Sequence, residues 1–171
     1  MNVLEQLKIQ YEDLIEWWQG GILLRLLAGI LSAYLLLSVV LAFSWSREPP
    51  LVDLNERLEQ YVASSDQPVV IGTATTISLI HVAETMLHKP GGFLSNDITL
   101  PGAVLDNIPS WEFGVLVQLR DLARAMRESF SRSQSQSTED IDLAIAEPRF
   151  NFDNQSWILP RSEDEYRDGI Q

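Results

Sequence analysis

The residues best arranged for chemistry are His81, Glu84 and His88, spaced three and four apart so that one side of a helix could offer two imidazoles and a carboxylate to zinc. The spacing falls short of H-E-x-x-H, and a solvated helix face is the preferred reading. No metal is assigned, and the three remain a weak candidate site. Glu139, Asp140, Asp142 and Glu147 could gather around calcium, but the EF-hand spacing and its glycine are missing. An acidic loop is expected there. No serine lies in G-x-S-x-G or S-x-x-K, and Gly91-Gly92 lacks the Lys-Ser/Thr of a phosphate loop. Carboxylate pairs of the glycosidase kind are numerous, yet sequence measures no separation between them. Catalytic residues stay unknown, and no cofactor is expected. The absence of cysteine excludes disulfides and thiolate metal or redox sites.

The formal net charge of the 171-residue chain is −12. From Glu48 onward twenty acidic residues face nine basic ones, a surface that repels nucleic acid and anionic headgroups. Arg120, Arg124, Arg127 and Arg132 form the one basic cluster, diluted by acidic neighbours. Nucleic acid is therefore no expected partner.

These residues are positioned by a chain that begins with a membrane signal. Between Arg25 and Arg47 a charge-free run starts at Leu26 and ends at Ser46, matching the ~20 apolar residues a helix needs to cross a bilayer. Backbone groups in lipid must be satisfied internally, so the run is a helix. The lipid bilayer is thus a predicted partner through residues 26–46. A cleaved signal peptide fits poorly: the core is too long, the leader is acidic, and no small-residue cleavage site precedes Arg47-Glu48-Pro49-Pro50. Charge balances across the span, with Lys8 and Arg25 before it and Arg47 and Arg57 after it. An inside N-terminus is preferred, because a long acidic domain translocates largely regardless of charge. The expected layout is an amphipathic cytoplasmic leader over 1–21, a transmembrane helix over 22–46 and a periplasmic domain over 47–171.

In the leader, Leu4, Leu7, Tyr11, Leu14 and Trp18 share one helical stripe. Its opposite side carries Glu5, Glu12, Asp13 and Glu16, which favours a protein partner over an anionic leaflet. Two heptads are too few for a zipper, however, and the preferred reading is a short helix whose Trp17-Trp18 pair anchors the headgroup region before Gly20-Gly21. Gly29 and Ala33 form a small-xxx-small pair through which two copies could approach, making a homo-oligomer the further partner to test.

Beyond the span the fold class is mainly α, a predominantly helical soluble domain with few short strands. Helices are predicted over 51–62 after Pro49-Pro50, over 75–88 with Ile77, Ile80, Ala83 and Leu87 inward, and over 110–130 with Ser110 as cap. The last places Val115, Leu119, Leu122, Met126 and Phe130 on the core face and Arg120, Asp121, Arg124 and Glu128 on the solvent face. Residues 68–72 read as a strand or extended connection, and 93–109 as an ordered loop packed on the core through Phe93, Leu94, Leu100, Val104 and Leu105. The tract 131–138 is polar and exposed. Over 141–160, Phe150, Phe152, Trp157 and Leu159 predict extended chain returning to the core. Ser162-x-x-Glu165 reads as a capping box opening a helix shortly before Gln171.

Longer blocks carry a family resemblance. Lys89-Pro90-Gly91-Gly92-Phe93-Leu94-Ser95-Asn96-Asp97, the run from Trp111 to Asp121 (WEFGVLVQLRD), the run from Phe130 to Ser137 (FSRSQSQS) and Ala144-Ile145-Ala146-Glu147-Pro148 resemble the bacterial family of domain of unknown function 2333. Trp45-Ser46-Arg47-Glu48-Pro49 is similar to that family's segment past its anchor. The resemblance implies an inner-membrane protein of Gram-negative bacteria, with one N-terminal anchor and a periplasmic domain. It implies no activity. It also implies further helical sequence past Gln171, so the chain is expected to be the leading part of a longer protein. The combined expectation is a bitopic envelope scaffold or interaction protein with an envelope protein as partner; the alternative is a membrane-tethered periplasmic hydrolase acting on envelope material.

Overall fold

A computed structural model describes residues 3–50, 53–64, 69–130 and 140–171. The polar tract 131–138 and Pro68 lie outside the described residues. The chain forms two structural units, Met1–Val40 and Leu41–Gln171.

Helix α1 runs without interruption over Val3–Trp45, leader and apolar run together. Its segment Gly21–Trp45 is long and apolar enough to cross a membrane, and only 6% of its most apolar window is buried. Leu24, Ile30, Leu36, Val39 and Phe43 are each about two-thirds or more exposed. A helix this apolar and so little covered by the described residues leaves an apolar surface far larger than water-soluble monomers carry.

The second unit is helical, with no strand among the described residues. It contains α2 (Leu54–Ser64), α3 (Thr73–His88), a 3₁₀ turn (Gly102–Val104), α4 (Asn107–Ala125) continued by a π-helical turn (Met126–Phe130), α5 (Ile141–Phe150) and α6 (Ser162–Ile170). Its core is one cluster. Leu79, Ala83, Met86 and Leu87 of α3 meet Leu116, Leu119 and Ala123 of α4, and Phe150 and Tyr166 close it from α5 and α6. Phe93 lies edge-on to Tyr166 at 5.5 Å, within the range aromatic pairs favour. Helix α2 stands apart, burying none of its residues.

Several local readings change. Val69 and Val70 are irregular and exposed, and Ile71-Gly72 turn into α3 with Gly72 at φ 102°, so no strand forms in the described part of 68–72. Helix α4 begins three residues before the expected cap, at Asn107. Pro109 then sits in the first turn, where the amide it lacks has no helical acceptor anyway. Residues 141–150 are helix rather than extended chain. The Asp140 side chain caps them, accepting from the amides of Asp142 at 3.0 Å and Leu143 at 3.1 Å, a recognised helix start. Trp157 and Leu159 do not return to the core; they are 50% and 91% exposed. In the loop over 93–109, Phe93 and Leu94 are buried whereas Leu100 and Val104 face outward.

Candidate functional site

Two polar arrangements and one groove could carry function. The first arrangement gives the loop after α3 its shape. Lys89 and Glu112 are buried together, with side-chain exposures of 1% and 0%, and form an ion pair. Lys89 Nζ also donates to the carbonyls of Met86 and Gly92. The Glu112 carboxylate accepts from the amide of Leu94 at 2.8 Å, the amide of Ser95 at 2.8 Å and Ser95 Oγ at 2.6 Å. Burial pulls Lys89 below the usual lysine range, and the charge and hydrogen bond of Glu112 oppose it. Every buried polar group here is met, as a low-dielectric interior demands. The two longest blocks of the family resemblance thus meet: Lys89, Leu94 and Ser95 come from one and Glu112 from the other. Their geometry is structural, a clamp holding loop to helix.

The same loop carries the end of α1. A Cβ on Gly91 would lie 2.7 Å from the Trp45 indole, and Gly91 sits at φ 90°, so glycine is required on both counts. Asn107 Nδ2 donates to the Ser46 carbonyl at 3.1 Å. The exit of the apolar helix and the start of α4 are thereby joined.

The second arrangement fastens α5 and α6. Arg120, expected on the solvent face, turns inward and donates from Nε to the Phe150 carbonyl at 2.7 Å and from Nη2 to the Phe152 carbonyl at 2.8 Å. Tyr166 Oη donates to the Phe152 carbonyl at 3.1 Å, and burial pushes its phenol up to about 12. Glu147 is buried against Arg127, with Arg124 at 3.8 Å. The capping box at 162–165 does not form. Ser162 Oγ donates to the carbonyls of Asp153 and Ser156, and Glu165 pairs with Arg149. Serine follows the cap position of α6, which Arg161 occupies.

The groove lies between α2 and α3. Its volume is about 750 Å³, and its walls include Tyr61, Ile77, Ile80, Met126 and Leu143 with Arg57, His81 and Glu84 among them. A cavity of about 370 Å³ shares Arg57, His81 and Glu84 with it and extends to Pro49, Pro50 and Pro90. His88 lines that second cavity, its Nδ1 3.0 Å from the Glu84 carbonyl. His81 Nε2 is 3.4 Å from Thr85 Oγ1. Burial, then the charge of Arg57, hold His81 below the ordinary histidine value, while Glu84 opposes them. Among the described residues no three His, Asp or Glu side chains converge as metal ligands. The structure places His81, Glu84 and His88 together along the smaller cavity, with His81 and Glu84 lining the groove as well. Arg57 is what sequence reading passed over. Its signal was isolation, for it is the one basic residue between Arg47 and Lys89.

Residues 17–171 match the model of a bacterial family described as an uncharacterized protein conserved in bacteria, domain of unknown function 2333, and the chain belongs to that family. No curated protein and no solved structure matches it.

Proposed function

We propose that this protein is a bitopic inner-membrane protein whose helical head, on the periplasmic side, serves as a scaffold or interaction domain for another envelope protein. The observation that carries the reading is the apolar segment Gly21–Trp45, most of it exposed and ending in the Trp45 approach to Gly91. A bilayer supplies the cover that the chain does not. The buried carboxylates Glu112 and Glu147 are committed to ion pairs that maintain the fold, which favours a scaffold over the hydrolase alternative. The acidic side of the leader is the surface suited to a cytoplasmic contact.

The test is co-purification from detergent-solubilised native membranes, with the full chain and with a variant lacking residues 1–18. A defined envelope protein recovered with both supports the reading; one lost with the leader assigns the contact to the leader and contradicts the role of the head. A solitary species in both cases overturns it.

A further inference from the structure

The groove between α2 and α3 has the chemistry of a ligand site. Its volume of about 750 Å³ falls within the roughly 300–1,000 Å³ of small-molecule pockets. Its apolar lining comes from Ile77 and Ile80 of α3, Met126 of the π-helical turn, Leu143 of α5 and Tyr61 of α2, with Gln60, Thr73 and Thr76 among the polar residues beside them. Helix α2 contributes no residue to the buried core, so on that side the groove lies outside the core.

Charge identifies the occupant. Arg57 is the one lysine or arginine among the residues lining the groove, in a protein of net charge −12. Its Nη1 donates to Gln60 Oε1 at 3.3 Å, and among the described residues no ion pair engages it. A guanidinium offers five donors in a planar fork suited to carboxylate or phosphate, and most of this fork is unused. Arg57 also stands where the groove meets the smaller cavity that opens past Pro49, Pro50 and Pro90. Glu84 lines the groove as well and partly offsets this charge, but it brings only acceptors, whereas Arg57 brings unused donors; an apolar slot with such a guanidinium at its end suits an apolar chain ending in an anion.

We propose that this groove binds a single-chain anionic amphiphile, its acyl chain lying along Ile77, Ile80, Met126 and Leu143 and its carboxylate or phosphate held by Arg57. The site lies wholly within the unit Leu41–Gln171 and does not depend on the scaffold reading. A free fatty acid and a lysophospholipid share the chemistry.

The experiment uses the full chain in nanodiscs of zwitterionic phospholipid and follows the fluorescence of 11-(dansylamino)undecanoic acid and of its uncharged methyl ester. Saturable binding of the acid at one site per chain is expected. Arg57→Gln should weaken the acid about tenfold, as loss of a charge-assisted contact does, and leave the ester nearly unchanged. Ile80→Trp should abolish both by filling the groove. Thr76→Trp, at an exposed position on its rim, should do the same without risk to the core. Displacement by laurate or by lysophosphatidylglycerol distinguishes the two sources. Binding unaltered in both tryptophan variants, equal loss of acid and ester in Arg57→Gln, or no saturable binding by the native chain overturns the proposal. The last result would leave the groove to a protein partner.

Discussion

Replacing Glu112 by glutamine removes one charge from the interior and little else. The native carboxylate has no exposure and accepts from Lys89 Nζ, two backbone amides and the Ser95 hydroxyl. An amide of the same shape keeps one acceptor oxygen and turns its NH₂ toward donors. Lys89 is then a buried ammonium without its paired carboxylate, left with the charge of Asp97 to offset it. Removing one partner of a buried pair costs about 3–5 kcal/mol. A head of this size loses about 3–5 °C of Tm per kcal/mol, so Glu112→Gln should lower Tm by about 10–20 °C. Thermal unfolding of the full chain in detergent micelles, followed by near-UV circular dichroism, reports the loss of fixed packing around Trp111, Phe93 and Tyr166 of the head on top of the signal from the aromatic residues of α1. Lys89→Met should cost less, because Glu112 retains three neutral donors that stabilise its charge. The pH dependence has a definite sign. Without Glu112 to oppose burial, the folded pKa of Lys89 drops further below the ordinary 10.5. The unfolded chain then binds the extra proton, so the deficit of the variant shrinks as pH rises from 7 toward 10. A loss under 1 kcal/mol, or Lys89→Met as costly as Glu112→Gln, would refute the clamp.

Gly91→Ala should destabilise the head by roughly 1–3 kcal/mol from its left-handed backbone alone and, through the Trp45 contact, shift tryptophan fluorescence to the red; an unchanged spectrum and Tm would contradict the join. Tyr166 is held to about 12, above the free value of 10.0, mainly by burial. Stability from this group is present below pH 10 and is lost as pH rises toward 12, so tyrosinate absorbance at 295 nm should show one tyrosine ionising together with alkaline unfolding. Asp97 is raised above 3.8 by burial, then by the charges of Glu163 and Glu112, with Lys89 opposing. Its fold is penalised as pH rises through the raised value, so Asp97→Asn should raise Tm at pH 7 and have little effect near pH 3.

The helices that sequence revealed are those whose apolar period and stop signals agree. Helix α3 ends where Lys89-Pro90-Gly91-Gly92 ends it, and α4 follows its stripe through Leu119 and Met126. Helix α5 was hidden because its aromatic at Phe150 is followed by Asn151, Phe152 and Asp153, an alternation that imitates a strand but begins as the helix finishes. Its start was written in Asp140, read instead as part of an acidic loop. Burial of Glu112 was invisible for a different reason. Its donors lie 17 to 23 residues earlier, and two of them are backbone amides, which leave no mark in side-chain periodicity. Ser162 shows the converse error: a local motif was present, but the carbonyls of Asp153 and Ser156 claimed the hydroxyl. The groove is a product of tertiary placement, since α2, α3 and α5 contribute walls that no single segment announces.

The native chain contains no cysteine, so single thiols can be placed on either side of the apolar helix without background. Glu12→Cys and Ile158→Cys sit at exposed positions, the first in the leader and the second in the head. With a membrane-impermeant maleimide applied to intact spheroplasts, the cysteine at 158 should label at once and the cysteine at 12 only after lysis. Equal labelling of the two before lysis, or recovery of the protein in the soluble fraction after alkaline carbonate washing, would contradict a chain that spans the bilayer once with its head outside.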